Sequence, residues 1–389
     1  MVLPQVFLLA GCLGLIGAGA SAEDDFTASF RLRGGFDSNP QFSTGQGAGG
    51  SAFIATDTAL AAGMKTDGTT LGIAAEANTT HYAQPLLTPS LGAKVILRGS
   101  IGDDDLKLDF TSTIADNSTY NLRSTDLIQS VKAEAKSGSI KLFVTAEGGR
   151  SSLNQTNAIF QDFLPEPQQY FRGTLIPGIS LVKGKAEFGA SANLSVRRYV
   201  QEFDVFGYRR NNERIQPFVF AKYGDDAVTA FVSVSQLYGT WHDPDFTNVN
   251  RLLFDSSLAW RAAPFRVDLT AWRRASETTF PISPITIDTA YSAKVSWNVE
   301  PKVTLAASVG YAASDYLDSP YRAQTLTFGV GASRDIGDDL TLGVDIAYAK
   351  GSLISGDDAR ALVISSSITK RFSPLAKPAA PKSGSGSGA

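Results

Sequence analysis

The stretch that decides the fold is residues 286–299, which read TIDTAYSAKVSWNV. Its odd positions, from Ile287 to Val299, are mostly apolar or aromatic, whereas its even positions are mostly polar. This alternation has the two-residue period of a β-strand whose two faces meet different surroundings. A charge in mid-strand, such as Lys294, is costly against lipid but comfortable against a water-filled lumen. The stretch therefore predicts one strand of a membrane barrel, with apolar side chains outward and polar side chains inward.

The same alternation recurs along the chain, clearly at 185–197 and 340–348. We count about eighteen such strands. Short turns rich in Asp, Gly and Pro join them in alternation with longer links, which is the pattern of antiparallel hairpins. An even number of strands lets the sheet close and leaves no unpaired edge in lipid. The sequence therefore predicts an all-β fold, a transmembrane antiparallel up-and-down β-barrel with a polar lumen, short turns in the periplasm and long loops outside the cell.

The ends of the chain have a different character. Residues 1–22 are predicted to be a signal peptide, because an apolar run precedes Ala20-Ser21-Ala22, which resembles a cleavage site. The sole cysteine, Cys12, lies in this leader, within a run that also resembles a lipoprotein lipobox. We assign 23–372 to the barrel and 373–389, rich in Pro, Gly, Ser and Ala, to a disordered tail. The expected location is the bacterial outer membrane.

Aromatic residues cluster near the predicted strand ends. In outer-membrane barrels, two girdles of aromatic side chains mark the two membrane–water interfaces. The candidates for these girdles are Tyr82, Tyr199, Tyr311, Tyr348, Trp260 and Trp297. A plain preference of aromatic residues for strands would explain part of this set.

Little in the chain indicates catalysis. It has two histidines, and it shows neither a metalloprotease helix motif nor a nucleophile elbow. The loop Trp241-His242-Asp243-Pro244-Asp245 is the best candidate for an active site, but its composition also suits a solvated turn. We therefore expect no enzyme activity, cofactor or metal site. Lipid and lipopolysaccharide are the expected surroundings, and no nucleic-acid partner is expected.

Basic residues outnumber acidic ones at the predicted inward positions, and arginines concentrate between 172 and 274. A positive wall would raise the local concentration of anionic solutes, and arginine binds carboxylates or phosphates with two hydrogen bonds. The same arginines would equally form ion pairs across strands, and an inward tryptophan would stack on a sugar or pack under a loop. The candidate ligand-binding residues are Arg172, Arg197, Arg214, Arg251, Arg266, Trp272 and Arg274.

The first strand ends in residues 33–40, which read RGGFDSNP. This step from an aromatic residue through Asp and a polar residue to Asn resembles the putative β-barrel porin 2 family. The resemblance implies an outer-membrane barrel that serves as the exit for a secreted polysaccharide, together with a periplasmic polysaccharide-export protein. It brings no catalytic residues with it. Since Asp and Asn favour turns, we expect Phe36-Asp37-Ser38-Asn39 to act in folding or turn formation.

Three functions remain open at this point. The first is an exit conduit for a polysaccharide, and the second is a passive porin for small anions or sugars. The third is an enzyme or adhesin carried on the loops. The aromatic and basic loop 198–211 fits a glycan site, a constriction folded into the lumen, or a simple extension of two strands.

Overall fold

The computed structural model describes residues 25–372, apart from 43–48, 86, 88, 104, 120–121, 156–165, 281–282, 338 and 355. The predicted signal peptide and C-terminal tail lie outside the described residues and stay predictions.

Among the described residues, no α-helix is long and apolar enough to cross a bilayer.

The described residues form 18 antiparallel strands, which confirms the predicted fold class. Short turns and longer connections alternate between successive strands, as the turn residues indicate. Their bounds are β1 Asp25–Asp37, β2 Ser51–Thr66, β3 Thr69–Tyr82, β4 Ser90–Gly102, β5 Leu106–Thr119, β6 Leu122–Ser137, β7 Ile140–Gln155, β8 Gln168–Lys183, β9 Ala186–Tyr199, β10 Asn212–Gly224, β11 Val228–Trp241, β12 Val249–Ala262, β13 Phe265–Glu277, β14 Ile285–Glu300, β15 Val303–Tyr316, β16 Arg322–Asp335, β17 Leu340–Ser352 and β18 Asp358–Phe372.

The sheet closes on itself between the first and last strands. β1 pairs with β2 on one side and with β18 on the other, from Ala28 opposite Phe372 to Asp37 opposite Val363. The remaining strands pair with their sequence neighbours. We call the end of the barrel that carries the tight turns the short-turn end and the opposite end the loop end. By the rule for outer-membrane barrels, the short-turn end faces the periplasm.

The motif at the end of β1 fastens this closure. The Ser38 amide donates to the Leu362 carbonyl at 2.9 Å, and the Leu362 amide donates to Ser38 Oγ at 2.7 Å. Asn39 Nδ2 donates to the Arg360 carbonyl at 3.0 Å, while the Asn39 amide donates to Asp37 Oδ1 at 2.9 Å. The motif thus joins the first strand to the last, so its contacts are those of a structural element.

The two faces of the wall differ as the alternation predicts. On β1, Phe30 and Leu32 point outward and are 41% and 42% exposed. Arg31 and Arg33 point inward, where Arg31 pairs with Asp345 at 2.9 Å. Outward residues of this kind recur on strands all around the barrel. An apolar surface of that extent belongs in lipid rather than in water.

The predicted girdle residues separate into two groups. Tyr311, Tyr348, Trp260 and Trp297 have outward parity, as predicted. Tyr82 and Tyr199 face inward, where they contact Phe53 and Tyr170. Their assignment to a girdle is therefore wrong. Since the inner wall near the loop end is covered by other parts of the chain, aromatic side chains are stable there as well.

Candidate functional site in the lumen

The site begins where one hairpin leaves the wall. Pairing between β12 and β13 stops at Phe254 opposite Arg273. Pairing between β13 and β14 continues beyond that point, up to Glu277 opposite Ile285. The upper part of this hairpin has therefore separated from β12. We call residues 274–280 and 283–288 the inner hairpin.

Burial shows where the inner hairpin lies. Ile285 and Ile287 are 0% and 2% exposed, although they share the parity of the outward-facing Tyr291. They form one cluster with Leu237 and Leu253, which face inward on β11 and β12. The outer face of the inner hairpin thus packs on the inner wall of its neighbours, inside the lumen. The prediction that Ile287 faces lipid is wrong for this reason, since an apolar side chain suits both surroundings.

A buried arginine holds the tip of the inner hairpin. Arg210, in the loop between β9 and β10, donates from its guanidinium to the carbonyls of Phe280, Thr278 and Ser283 at 2.8, 3.0 and 3.4 Å. The same guanidinium pairs with Asp204 at 2.9 Å, and both side chains are 2% exposed. Loop 198–211 is therefore not a simple strand extension, because residues 200–211 form no strand and Arg210 reaches another loop. Its Arg210 holds another segment in the lumen.

The side of the inner hairpin is held by a second contact. The Glu277 carboxylate lies 2.7 Å from Arg214 and 3.4 Å from Arg197, and its side chain is 8% exposed. The Tyr199 hydroxyl donates to Glu277 Oε2 at 2.9 Å. Glu277 has outward parity on β13, so it reaches these inward groups of β9 and β10 only because the hairpin has turned in.

The structure brings three of the predicted ligand-binding arginines together. Arg172, Arg197 and Arg214 lie on the inner wall of β8, β9 and β10, near the inner hairpin. Arg172 pairs with Glu147 at 2.7 Å, and the other two share Glu277. Their part in ligand binding stays a prediction.

The other predicted residues lie apart from this group. Arg274 donates from Nε to Asp255 at 3.0 Å, and its guanidinium lies 5.1 Å from the centre of the Trp272 ring. Arg266, near the short-turn end, pairs with Asp268 at 2.8 Å. In the described part of the chain, Arg251 donates to the Asn250 carbonyl and forms no ion pair.

A second feature of the lumen is an aromatic surface, formed by Phe143, Phe218 and Phe220, which we call the platform. Both Phe143 and Phe218 have ring centres 6.1 Å from that of Phe220, and all three have inward parity. A Cβ atom at Gly178 or Gly189 would lie 2.2 or 2.4 Å from the Phe143 or Phe220 ring. Glycines at these positions therefore allow the rings to lie against the wall. Phe220 is buried, whereas Phe143 and Phe218 keep part of their surface open.

Charged side chains surround the platform. Lys141 lies between Glu187 at 2.7 Å and Glu134 at 3.5 Å, and Lys222 lies 3.8 Å from Glu187. The Lys222 ammonium also lies 4.9 Å from the centre of the Phe220 ring. An apolar surface bordered by carboxylates and ammonium groups has the composition of a ligand site.

A cavity lies on the inner wall beside the platform. Its volume is about 550 Å³, and its lining includes Arg98, Asp109, Ser130, Lys132 and Thr145. The Lys132 ammonium, 5.9 Å from the centre of the Phe143 ring, connects the cavity to the platform. The cavity supplies hydroxyl, ammonium, guanidinium and carboxylate groups to whatever occupies the lumen.

His242 lies outside this region. It has outward parity at the loop end, where its Nε2 lies 3.0 Å from Glu213, which also pairs with Arg198. The described residues contain no group of three or more His, Cys, Asp or Glu that could hold a metal ion.

Sequence reasoning missed Glu277, Arg210 and the platform. Inward parity alone identifies Phe143, Phe218 and Phe220, so the platform had a signal in the sequence. For Arg210, the sequence shows the basic character of its loop but not its partners in another loop.

The closed wall, apolar outside and polar inside, defines an outer-membrane β-barrel of the porin and transport class. Residues 182–372 match the family described as putative beta-barrel porin 2, which confirms the resemblance seen at the end of β1. The match runs from the end of β8 to the end of β18 and does not include that first motif. No curated protein matches the chain.

Solved outer-membrane barrels are similar to this chain at low identity. OpdK from Pseudomonas aeruginosa is 9% identical, with a TM-score of 0.45 over 90% of this chain and 99% of its own. OccK2 from the same organism, in complex with glucuronate, is 8% identical, with a TM-score of 0.48 over 91% of this chain and 99% of its own. The ferric citrate transporter FecA is 10% identical, with a TM-score of 0.42 over 86% of this chain. The chain spans 61% of FecA.

Proposed function

We propose that this barrel is the outer-membrane exit for a secreted polysaccharide. In this proposal, one extended glycan strand enters at the short-turn end, where a periplasmic polysaccharide-export protein delivers it. The family match supports a channel, and the resemblance noted at the first strand favours polysaccharide export. An eighteen-stranded wall is wide enough to enclose an aqueous path.

The platform is the observation that carries the proposal. A lumen that conducts only small ions gains nothing from three inward phenylalanines, because apolar surface in contact with water is unfavourable. A sugar ring has an apolar face of C–H groups and a rim of hydroxyls. The platform can receive the apolar face, and Glu134, Glu187 and Lys222 border it with hydrogen-bonding groups.

Binding of a neutral oligosaccharide to the purified barrel tests this proposal. We expect maltohexaose to bind in detergent solution, as measured by calorimetry, and F143A with F218A to weaken binding at least 10-fold. F188A is the matched control, because Phe188 is a phenylalanine of the same wall that points outward and is 54% exposed. Equal weakening by F188A, or no effect of the platform variant, would contradict the proposal.

A passive porin for small anions is the second candidate. It is favoured by inward basic residues, Lys94, Arg98 and Arg251, that form no ion pair within the described residues. Such a porin would conduct steadily in a planar bilayer and would prefer anions without any partner. An exit conduit narrowed by the inner hairpin would instead conduct little until that hairpin moves.

A further inference from the structure

The contact between Glu277 and its two arginines contains more positive charge than one carboxylate balances. Arg197 and Arg214 both approach the same oxygen, Glu277 Oε1, at 3.4 and 2.7 Å. The Arg197 and Arg214 side chains are 16% and 6% exposed. Glu147 pairs with Arg172, and Asp126, which accepts from the Ser151 hydroxyl, forms no ion pair with Arg197 or Arg214 within the described residues.

Several buried donors in this contact lack a well-formed hydrogen bond. Nε of Arg197 and both Nε and Nη2 of Arg214 form no hydrogen bond of acceptable geometry with any described residue, although Nη2 is close to Glu277. The indole Nε1 of Trp241, whose ring lies 5.9 Å from the Arg214 guanidinium, has no acceptor either. Buried polar groups in proteins are nearly always satisfied, and exceptions call for an explanation such as a bound ion or water. The region therefore offers more donors than the described chain supplies acceptors.

Carboxylates are the ligands that these donors fit best. The arginine guanidinium is planar and binds a carboxylate through two parallel hydrogen bonds. Glu277 already places its carboxylate against these two arginines, and the Tyr199 hydroxyl donates a hydrogen bond to it at 2.9 Å. Glu277 is also the point at which the side of the inner hairpin is held.

We propose that Arg197 and Arg214 form a binding site for the carboxylate of a uronic acid, which exchanges with Glu277. A carboxylate that enters this site takes over the contacts of Glu277 with the two arginines and its hydrogen bond from Tyr199. The inner hairpin then loses one of its polar attachments. The ligand then weakens the constriction through which it passes. For a uronate within a glycan chain, this inference rests on the proposed function; a free sugar acid has the same chemistry and is the other source.

The test is calorimetric binding to the full-length barrel in detergent, with galacturonate, hexagalacturonate and maltohexaose as probes. Because the competing carboxylate is absent in E277Q, we expect this variant to bind hexagalacturonate at least 10-fold more tightly than the parent. R214Q should lose hexagalacturonate binding, and R197Q, measured in case R214Q fails to fold, should weaken it at least 10-fold. R198Q is the matched control, since Arg198 is adjacent in sequence, points outward and pairs with Glu213.

The outcomes separate this inference from the proposed function. Equal affinity of the parent and E277Q for hexagalacturonate would overturn the exchange, as would undiminished binding by folded R214Q. Maltohexaose should bind R214Q as it binds the parent, because the platform lies elsewhere on the wall. If the parent binds hexagalacturonate but not maltohexaose, the role of the platform in the proposed function is contradicted and the carboxylate site is not. Tighter binding of hexagalacturonate than of galacturonate would support a glycan chain as the source, and equal binding would support a free sugar acid.

Discussion

Replacing Arg210 by methionine should release the tip of the inner hairpin. The substitution leaves Asp204 buried without its cation, and it removes the donor to three loop carbonyls. Breaking a buried ion pair by removing one partner costs about 3–5 kcal/mol. The lost contacts hold the hairpin rather than the strands of the wall, so we expect the cost to fall on hairpin docking. The ratio of docked to undocked hairpin should then drop by about 100- to 4,000-fold, because each 1.4 kcal/mol is a factor of ten.

A buried thiol measures this change. Ser283 is 0% exposed at the hairpin tip, so S283C, in a chain whose Cys12 is replaced by serine, should react with a maleimide only when the hairpin undocks. We expect R210M to raise the labelling rate by about the same factor as the docking ratio falls. R209M is the matched control, because Arg209 is adjacent but exposed and pairs with Glu202. S292C, at an exposed lumenal position, reports the intrinsic rate of labelling.

Two further results bear on the same reasoning. The double variant D204N/R210M should label more slowly than R210M, because it no longer buries an unpaired carboxylate. Labelling of S283C in R210M within a few-fold of the parent rate would refute the role of Arg210. In planar bilayers, R210M should conduct more than the parent if the inner hairpin narrows the path.

Two other predictions concern the short-turn end and the platform. The backbone N–H of Val228 donates to the Asp225 carboxylate and, together with weaker neighbouring donors, lowers its pKa to about 2. The carboxylate therefore stabilises the turn at neutral pH and loses this effect as the pH falls from about 4 through about 2. Thermal melts should show D225N less stable than the parent at pH 7 and equal to it below about pH 2. G178A places a Cβ atom 2.2 Å from the Phe143 ring and should destabilise the barrel by about 1–3 kcal/mol in urea unfolding. G148A, with nothing within 4 Å of its Cβ, should not, and equal effects of the two would contradict the close fit.

The strands, turns and closure could be predicted from the sequence because each rests on local information. Period-two alternation identifies a strand within a few residues, and Asp, Gly and Pro identify its turns. Even the motif at Asp37 and Asn39 was correctly expected to be structural, although its partners on β18 were unknown. The wall was predictable because the same alternation and the same turn residues recur along the chain.

The inner hairpin could not be predicted in this way. Ile285 and Ile287 continue the alternation of β14, and an apolar residue suits lipid and a packed interior equally well. The departure of β13 from β12 depends on contacts made by Arg210 and Glu277 with distant strands, and no local pattern encodes them. The same limit applies to the arginines, since inward parity predicted their face but not whether each one meets a carboxylate.

The end of pairing between β12 and β13 also sets how deeply the barrel sits in the membrane. Above Phe254 and Arg273, the two strands no longer pair with each other, and a strand edge left open in this way is not tolerated within the hydrocarbon layer. The outer limit of that layer must therefore lie at or below this row. The rings of Phe254, Tyr291 and Tyr311, all of outward parity, lie next to one another near this break, with centres 6.3 and 6.1 Å apart, as residues at a lipid–water boundary do. The break that admits the hairpin to the lumen thus also fixes the vertical position of the protein in its bilayer.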